Sequence, residues 1–492
     1  MKILRYLYVV VGLTLILNIS GFAEDLKNET LYLSLQECIQ IALDNNLDIK
    51  IAKLDNWIAG TDETYAKAVY DMILSGKITY TYDEQENAST IAPSKELINE
   101  YRVGIEKKLP TGTTLSIDYK NIRNWTDSLY VTLNPYYESE ISFTAKQSVL
   151  KNMLGIQDRS DVKLARMNIE ISDLETYRKI EKAIADVEKK YWYLVFAKEN
   201  LKIKRDLLKK AEVMLSINES HIASGFMEKK DILASQANVK QRQIDCLIAE
   251  NDLEDAINSL KLVLNKNFDN PILSLDSFEI ALKKPDLIQN LETAMSNRKD
   301  FLAKKKELEK KKLMLVMKKN AFLPELDLFA TYYANGVDRK VEKSHGTLTT
   351  TKFPKYYVGA ELKYPFENSK GKSEYKKAEL GKIKAINELK QLEKNIINEI
   401  DENVREAGLN MQKIIRTSKI KELQDLKLKE EEIQYKNGRS SSKVMIDFQN
   451  DLLKARLDVV KAFLDYHYSL IDLEVSKDIF LDNKGIKIDE NL

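Results

Sequence analysis

Ser34-Leu35-Gln36-Glu37-Cys38-Ile39-Gln40-Ile41-Ala42-Leu43-Asp44-Asn45-Asn46 is written a second time, in altered letters. The echo is Asp286-Leu287-Ile288-Gln289-Asn290-Leu291-Glu292-Thr293-Ala294-Met295-Ser296-Asn297-Arg298. A constant offset of 252 positions carries Leu35 to Leu287, Ile39 to Leu291, Ala42 to Ala294 and Asp48-Ile49 to Asp300-Phe301. The register holds without a gap as far as Tyr80 and Tyr332, both inside alternating segments. A repeat this long is not a solenoid unit. It implies one structural half, made of helix, strands and long helices, used twice. Two such halves can build a pseudo-symmetric wall.

Outward from that stretch, the hydrophobic period marks the elements. Ser34 with Glu37 three residues on is a capping box, so the spacing predicts a helix over 34–70. The period then drops from 3.6 to 2. Ile78 to Tyr82, Tyr101 to Ile105, Leu115 to Tyr119, Leu129 to Leu133 and Ile141 to Ala145 all alternate, with a turn at Leu109-Pro110-Thr111-Gly112. Short, aromatic-rich strands of this kind are the weak signature of a transmembrane β-barrel; a soluble β-sandwich explains the block equally well in isolation. From 155 to 217 the helical period returns. Ile171, Leu174, Tyr177, Ile180, Ile184, Val187, Tyr191 and Leu194 form a coiled-coil seam. Ser224-Gly225 breaks it, and a returning helix over 229–264 completes a long hairpin.

Residues 265–285 read as a linker with Pro271 and Pro285. The plan then replays: a helix over 286–322, strands at 326–332 and 356–364 around a polar loop at 335–351, and a hairpin of helices over 371–436 and 442–480 broken at Asn437-Gly438. The tail from Leu481 is polar and reads as frayed. The two hairpin breaks, Gly225 and Gly438, are 213 apart, against 252 at the start. The first half therefore holds 39 extra residues, with 100–133 the natural location.

Composition narrows the function classes. Lys+Arg and Asp+Glu nearly cancel, 77 against 76, so no global charge points to nucleic acid. Lys304-Lys305-Lys306 and Lys310-Lys311-Lys312 lie in helical segments and read as solvated faces. Lys2, Arg5, the apolar run from Leu7 to Ile19 and Gly21-Phe22-Ala23 have the form of a secretion signal cleaved after Ala23. An uncleaved anchor is the alternative, but the run is short for a membrane helix. Cys38 and Cys246 fall on apolar helix positions. A disulfide is open to an exported chain, and two small buried residues are the simpler reading. The three His, His221, His345 and His467, have no ligand partner at helical spacing, so neither metal nor cofactor is expected. Nothing in the sequence marks an enzyme: there is no nucleophile–base pair and no phosphate loop.

The helix start Ser34-Leu35-Gln36-Glu37-Cys38-Ile39 through Ala42-Leu43-Asp44-Asn45-Asn46 resembles the opening of the TolC-like outer-membrane efflux proteins. Tyr364-Pro365-Phe366 is similar to that family's entry into its long helices. Gln147-Ser148-Val149-Leu150-Lys151-Asn152 departs from it at the family's Pro and Arg. The tips also fit, with Gly225 before Asp231 and Gly438 before Asp447. The resemblance implies a mostly helical fold with a membrane β-barrel part. Long antiparallel hairpins would form a periplasmic α-barrel. Each chain would lend four strands, or six if 100–133 also spans, to a barrel shared by a homotrimer. It implies an exit duct in the outer membrane, for a tripartite efflux pump or a type I secretion system. The partners would be a periplasmic adaptor, an inner-membrane transporter and outer-membrane lipid.

The family's gate lies at the hairpin tips. By position its Asp ring falls on Asp447, its second ring on Val444, its linking Tyr on Tyr435 and its basic residue on Ser440, beside Arg439. Asp231, at the first hairpin's tip, is a further gate candidate. An ordinary exposed helical Asp is the alternative for Asp447. Gly225, Phe226, Gly438 and Arg439 are candidate adaptor contacts. Phe226 suits an interface anchor, or packs down between its helices. Tyr80, Tyr82, Trp125, Tyr332, Tyr356 and Tyr364 are candidates for interfacial aromatic belts. From a different class, a periplasmic coiled-coil spacer or adaptor with a small closed β domain also fits the helices. The strands decide between them, because an adaptor's β domain has its own closed core.

Overall fold

A computed structural model describes residues 31–87, 92–223, 229–268, 272–278, 281–350, 352–437 and 439–486. The signal-like segment therefore lies outside the described residues. The chain opens with a short strand, β1 (Leu31–Leu33), and then Ser34 caps α1 (Leu35–Asn45). The Glu37 N–H donates to the Ser34 hydroxyl, and the Ser34 N–H donates to the Glu37 carboxylate at 2.8 Å. The single helix expected over 34–70 is interrupted at Asn46, where ψ is 131°. Asn46 itself explains the break. Its side-chain oxygen accepts from the Ile49 N–H at 3.1 Å and starts α2 (Leu47–Lys67), while its amide donates to the Val263 carbonyl at 2.7 Å. That buried polar side chain gains more from these two hydrogen bonds than a continuous helix would give it.

Four strands follow: β2 (Met72–Asp83), β3 (Glu96–Lys108), β4 (Thr113–Thr126) and β5 (Tyr136–Ser148). The strand expected at Leu129 to Leu133 is absent. Asn134 bridges back to the Thr126 backbone through both side-chain atoms, which closes 127–135 into a loop and leaves Leu129 98% exposed. Next comes the long hairpin of α3 (Ile156–Ala223) and α4 (Lys229–Leu264). The supposed linker contains β6 (Ile272–Ser274), which pairs in parallel with β1. No alternation in three residues announces such a strand.

The second half repeats the plan: α5 (Leu287–Asn297), α6 (Lys299–Ala321), β7 (Glu325–Asp338), α7 (Val341–Thr349), β8 (Pro354–Lys363), α8 (Ser369–Lys436), α9 (Ser442–Val475) and a closing turn, α10 (Phe480–Asn483). Here too the first helix breaks, at Arg298, and Asp286 caps its start by accepting from Gln289 N–H at 2.8 Å. α3 and α8 are each 68 residues long and their starts are 213 apart. β2 and β7 occupy matching places in the two halves, as do β5 and β8. The pair β3–β4 is the insertion. The polar loop expected over 335–351 is instead the end of β7 plus helix α7, held by Ser344, which donates to the Gly336 carbonyl at 2.8 Å.

The chain divides into two compact units. One takes residues up to Asp55, Leu174–Leu302 and Leu392 onward; the other takes Asn56–Asp173 and Ala303–Gln391. The first is a helical bundle. The α3 seam residues Ile180, Ile184, Val187, Tyr191 and Leu194 pack with Cys38 and Ala42 of α1, Ile49 of α2, and Leu260 and Leu264 of α4. Each large apolar side chain buried there contributes about 1.5–3 kcal/mol. Cys38 and Cys246 are free and buried, and burial pushes the Cys38 thiol up to about 12. Phe480 and Leu481 are fully buried in the same core, so the frayed tail expected from Leu481 starts later than the sequence implies. Polar neighbours after Leu481 hid two apolar anchors.

His467 sits in this core, stacked on Trp192 with ring centroids 3.9 Å apart and flanked by Phe278 at 5.7 Å. Desolvation, with a smaller contribution from Lys484, lowers it to about 4. Below the ordinary His range the unfolded chain binds a proton that the folded chain refuses. Stability is therefore lost as pH falls from about 6.5 towards 4, by up to about 3 kcal/mol. His467→Phe keeps the stack and removes the proton. We expect its unfolding midpoint to be flat across pH 4–6.5 where wild type declines, measured by thermal melts in detergent; parallel curves would refute it.

The other unit is a single sheet with helices. Its order is β2-β3-β4-β5-β7-β8, every pair antiparallel. Its helices carry the lysine runs: Lys304 pairs with Glu307 and Glu388, Lys306 pairs with Glu170, and Lys310 donates to Asn168. They are solvated helix faces, as the spacing suggests.

Candidate functional site

The sheet has two chemically different faces. Successive strand residues point to opposite sides, so register assigns each side chain to a face. One row runs Leu74–Ile105–Ile117–Phe143–Tyr332–Tyr356 through directly opposed residues of all six strands. The adjacent row is Met72–Lys107–Leu115–Ala145–Ala330–Val358, and Gly76–Val103–Tyr119–Ile141–Ala334–Pro354 lies on the other side. Apart from Lys107 these rows are apolar or aromatic, and most of the face is uncovered: Leu74, Tyr356 and Val358 are 73%, 73% and 77% exposed. Only its far end is roofed, where α7 sits over Ser139 and His345 meets the Tyr119 hydroxyl. No second sheet packs on it among the described residues, so a sandwich is ruled out for this block.

The opposite face is polar. Arg102 pairs with Glu100 at 2.6 Å and Lys146 with Asp327 at 2.8 Å, while Ser148 donates to Asp327 at 2.7 Å. Thr144 and Thr331 share a hydrogen bond at 3.0 Å across β5 and β7. An apolar face left in water costs roughly 25 cal/mol per Å², and this one stretches over six strands. Monomeric soluble proteins rarely expose so large a patch. The two edges, β2 and β8, are also bare. They are 12 and 10 residues long, and alternate residues along each turn their backbone donors and acceptors away from the sheet, with no partner strand among the described residues.

The helical unit holds the second candidate site, where the long helices end. Tyr435 of α8 is buried, and its hydroxyl contacts Asn218 of α3 and Ser442 of α9, the latter at 3.0 Å. Asn218 also donates to Ser235 of α4 at 2.6 Å. One buried polar cluster thus joins all four long helices. Met214, Leu428, Met445 and Leu452 pack around it. Removing the hydroxyl leaves the Asn218 oxygen short of a donor in an apolar setting, which costs about 1–2 kcal/mol. Tyr435→Phe should lower the unfolding free energy by that amount, read as a lower midpoint in chemical denaturation; an unchanged midpoint would mean the cluster holds nothing together.

Asp447 lies in the second turn of α9, exposed, with no ion pair to any described side chain. The next carboxylate along that face, Asp451, is neutralised by Lys427 at 2.9 Å, whose ammonium also sits 3.7 Å over the Phe448 ring. Val444 is exposed on the same side, one turn before Asp447. Ser441 caps the helix by accepting from the Val444 N–H. Ser440 donates to Glu431, and the Arg439 N–H closes the end of α8 on the Gln434 carbonyl at 2.9 Å, leaving its side chain in solvent. Among the described residues no group of His, Cys, Asp and Glu could hold a metal ion.

Similarity to known structures reaches the fold despite divergent sequence. No protein-family model and no curated protein sequence matches the chain. Solved structures do. The outer membrane channel CmeC of Campylobacter jejuni superposes with a TM-score of 0.66 at 14% identity, over 90% of this chain and 85% of that one. The outer membrane protein VceC of Vibrio cholerae gives 0.66 at 12%, over 90% and 96%. The Neisseria gonorrhoeae MtrE outer membrane channel, in its open state, gives 0.66 at 16%, over 90% and 88%. The fold is TolC-like. No helix among the described residues is long and apolar enough to cross a membrane.

Within this TolC-like fold the sequence-derived sites divide clearly. Tyr80, Tyr82, Trp125, Tyr332 and Tyr356 all fall on the apolar face by register, and Tyr364 follows β8. Tyr332 and Tyr356 stand side by side, with centroids 5.4 Å apart, in a middle row rather than at a rim. Gly225, Phe226 and Gly438 lie outside the described residues, as does the Asp231 side chain. Asn218, Ser235 and Ser442 were missed. An Asn at a seam position of a long coiled coil is the signal that could have found the first of them.

Proposed function

We propose that the chain is a passive exit duct of the outer membrane, working as a homotrimer in an export system. The observation that carries this is the open sheet with one exposed apolar face and one charged face. Lipid tolerates no bare strand edge, so the sheet must be completed by other copies. Placed in a shared barrel, the apolar face meets lipid and the charged face lines water. The long hairpins would then cross the periplasm. Their tips would meet a periplasmic adaptor serving an inner-membrane transporter, in an efflux pump or a type I secretion system. Two of the neighbours with the same fold, CmeC and MtrE, are named as outer membrane channels, which supports this reading. The runner-up, a periplasmic spacer or adaptor, requires a closed β core, and an open apolar sheet is unfavourable for it.

At the tips, the Tyr435 cluster would hold each copy's four helices closed together, and Asp447 with Val444 would narrow the lumen. Gly225, Phe226, Gly438 and Arg439 remain the candidate adaptor contacts. Purified protein added to planar bilayers should give discrete conductance steps. Asp447→Ala should raise the step size by removing a ring of carboxylates; unchanged steps would take the gate away from Asp447, and no steps at all would sink the duct.

A further inference from the structure

We infer that the inserted hairpin β3–β4 is part of the membrane wall, so that each copy supplies six membrane strands and three copies close an eighteen-stranded barrel. This rests on the duct reading above. The internal repeat by itself accounts for only β2, β5, β7 and β8, and the hairpin is the extra material of the first half. Three features place it in the wall.

First, it is full height. β3 and β4 are 13 and 14 residues long, beside 13 and 14 in β5 and β7. A tilted strand needs about 9–11 residues to cross a bilayer. Second, it shares the apolar layer. Ile105 and Ile117 fill the places between Leu74 and Phe143 in the same row, while Glu100, Arg102, Asp118 and Lys120 fall on the charged side. A hairpin standing clear of lipid has no reason to keep that two-sided pattern in register with its neighbours. Third, its turn is built into the start of the long helix. Lys108 pairs with Asp158 of α3 at 2.7 Å. Gly112 and Gly155 meet back to back at φ of +75° and +67°, and a Cβ on Gly155 would stand 2.3 Å from the Pro110 carbonyl oxygen. The turn at 109–112 therefore lies level with the helix entry, and the strands run the whole way from it.

The direction of the strands also permits closure. With six antiparallel strands the two edges run opposite ways, so β8 of one copy can pair antiparallel with β2 of the next. At roughly 4.8 Å per strand and a tilt near 40°, eighteen strands give a barrel about 36 Å across, against about 24 Å for twelve. The hairpin thus widens the outer-membrane part of the duct and adds charged residues to its wall.

The test is residue-by-residue accessibility of the full-length protein in lipid vesicles. Single cysteines at Ile117 and Asp118 of the hairpin, and at Phe143 and Thr144 of β5, are spin-labelled and compared for collision with oxygen and with a water-soluble nickel chelate. The native cysteines are buried, and unmutated protein controls for their labelling. We expect Ile117 and Phe143 to favour oxygen, and Asp118 and Thr144 to favour the chelate. If Phe143 favours oxygen while Ile117 favours the chelate, the hairpin stands outside the wall and the inference fails with the duct intact. If neither favours oxygen, the duct reading fails as well. Should a β4 variant not assemble, Ile105 and Glu106 on β3 give the same two readings.

Discussion

Phe143→Arg is expected to abolish assembly in the outer membrane. Phe143 is the β5 member of the six-residue apolar row, with Tyr332 beside it at 6.4 Å between ring centroids. A charge at that depth on a lipid-facing strand costs about 2–4 kcal/mol per copy, and a threefold assembly repeats the cost three times, about 6–12 kcal/mol. Lost burial of the ring adds to it. Thr144→Arg is the matched comparison. One residue along, it points to the face already lined by Lys146 and Asp327, and loses only its bond to Thr331. The check is the amount of heat-dissociable oligomer in outer-membrane fractions. Near-total loss for the first variant and near wild-type yield for the second is the expected pair. Equal yields would mean the two faces are not lipid and water.

Arg298→Ala is expected to destabilise the helical unit by about 3 kcal/mol. The guanidinium is almost wholly buried at the break between α5 and α6. It holds Asp300 through two bonds of 3.0 and 2.7 Å, Glu399 at 2.6 Å and the Ser476 carbonyl at 3.0 Å. Asp300 is shared with Arg178, which also reaches Asp478; Asp478 in turn accepts from the Lys299 N–H at 2.6 Å. Removing Arg298 leaves Asp300 with Arg178 as its one remaining cation among the described residues and strands the Ser476 carbonyl in a dry site. Glu399 is half exposed and recovers its water, which keeps the figure at the low end of the range for broken buried pairs. Chemical denaturation followed by far-UV circular dichroism measures it. A loss below about 1 kcal/mol would place the network among ordinary surface pairs. Nearby, Glu181 is held well above the usual carboxylate range by burial and by Asp478. A carboxyl raised in the folded state takes stability away as pH rises past the ordinary Glu range.

Much of the fold was legible because periodicity is a local property. The 252-residue offset, both long helices and six strand locations followed from spacing alone. The misses share a cause. Asn46 and Arg298 break their helices through partners hundreds of residues away or on other helices, at Val263 and Glu399. β1 and β6 are strands only because they found each other. Leu129 to Leu133 alternates by chance, and its neighbour Asn134 chose a loop. At the candidate sites, Tyr435 was visible by position beside the tip, but its partners Asn218, Ser235 and Ser442 come from three other helices that no linear spacing connects. The two-faced sheet was visible strand by strand; the row from Leu74 to Tyr356 required the register.

The central claim is that one copy's open sheet is a segment of a wall shared with other copies. Native mass spectrometry of the complex released from outer membranes by mild detergent measures this directly. The account requires a species of three times the mature chain mass that falls to one chain on heating. A single chain, stable alone in the same detergent, would contradict it.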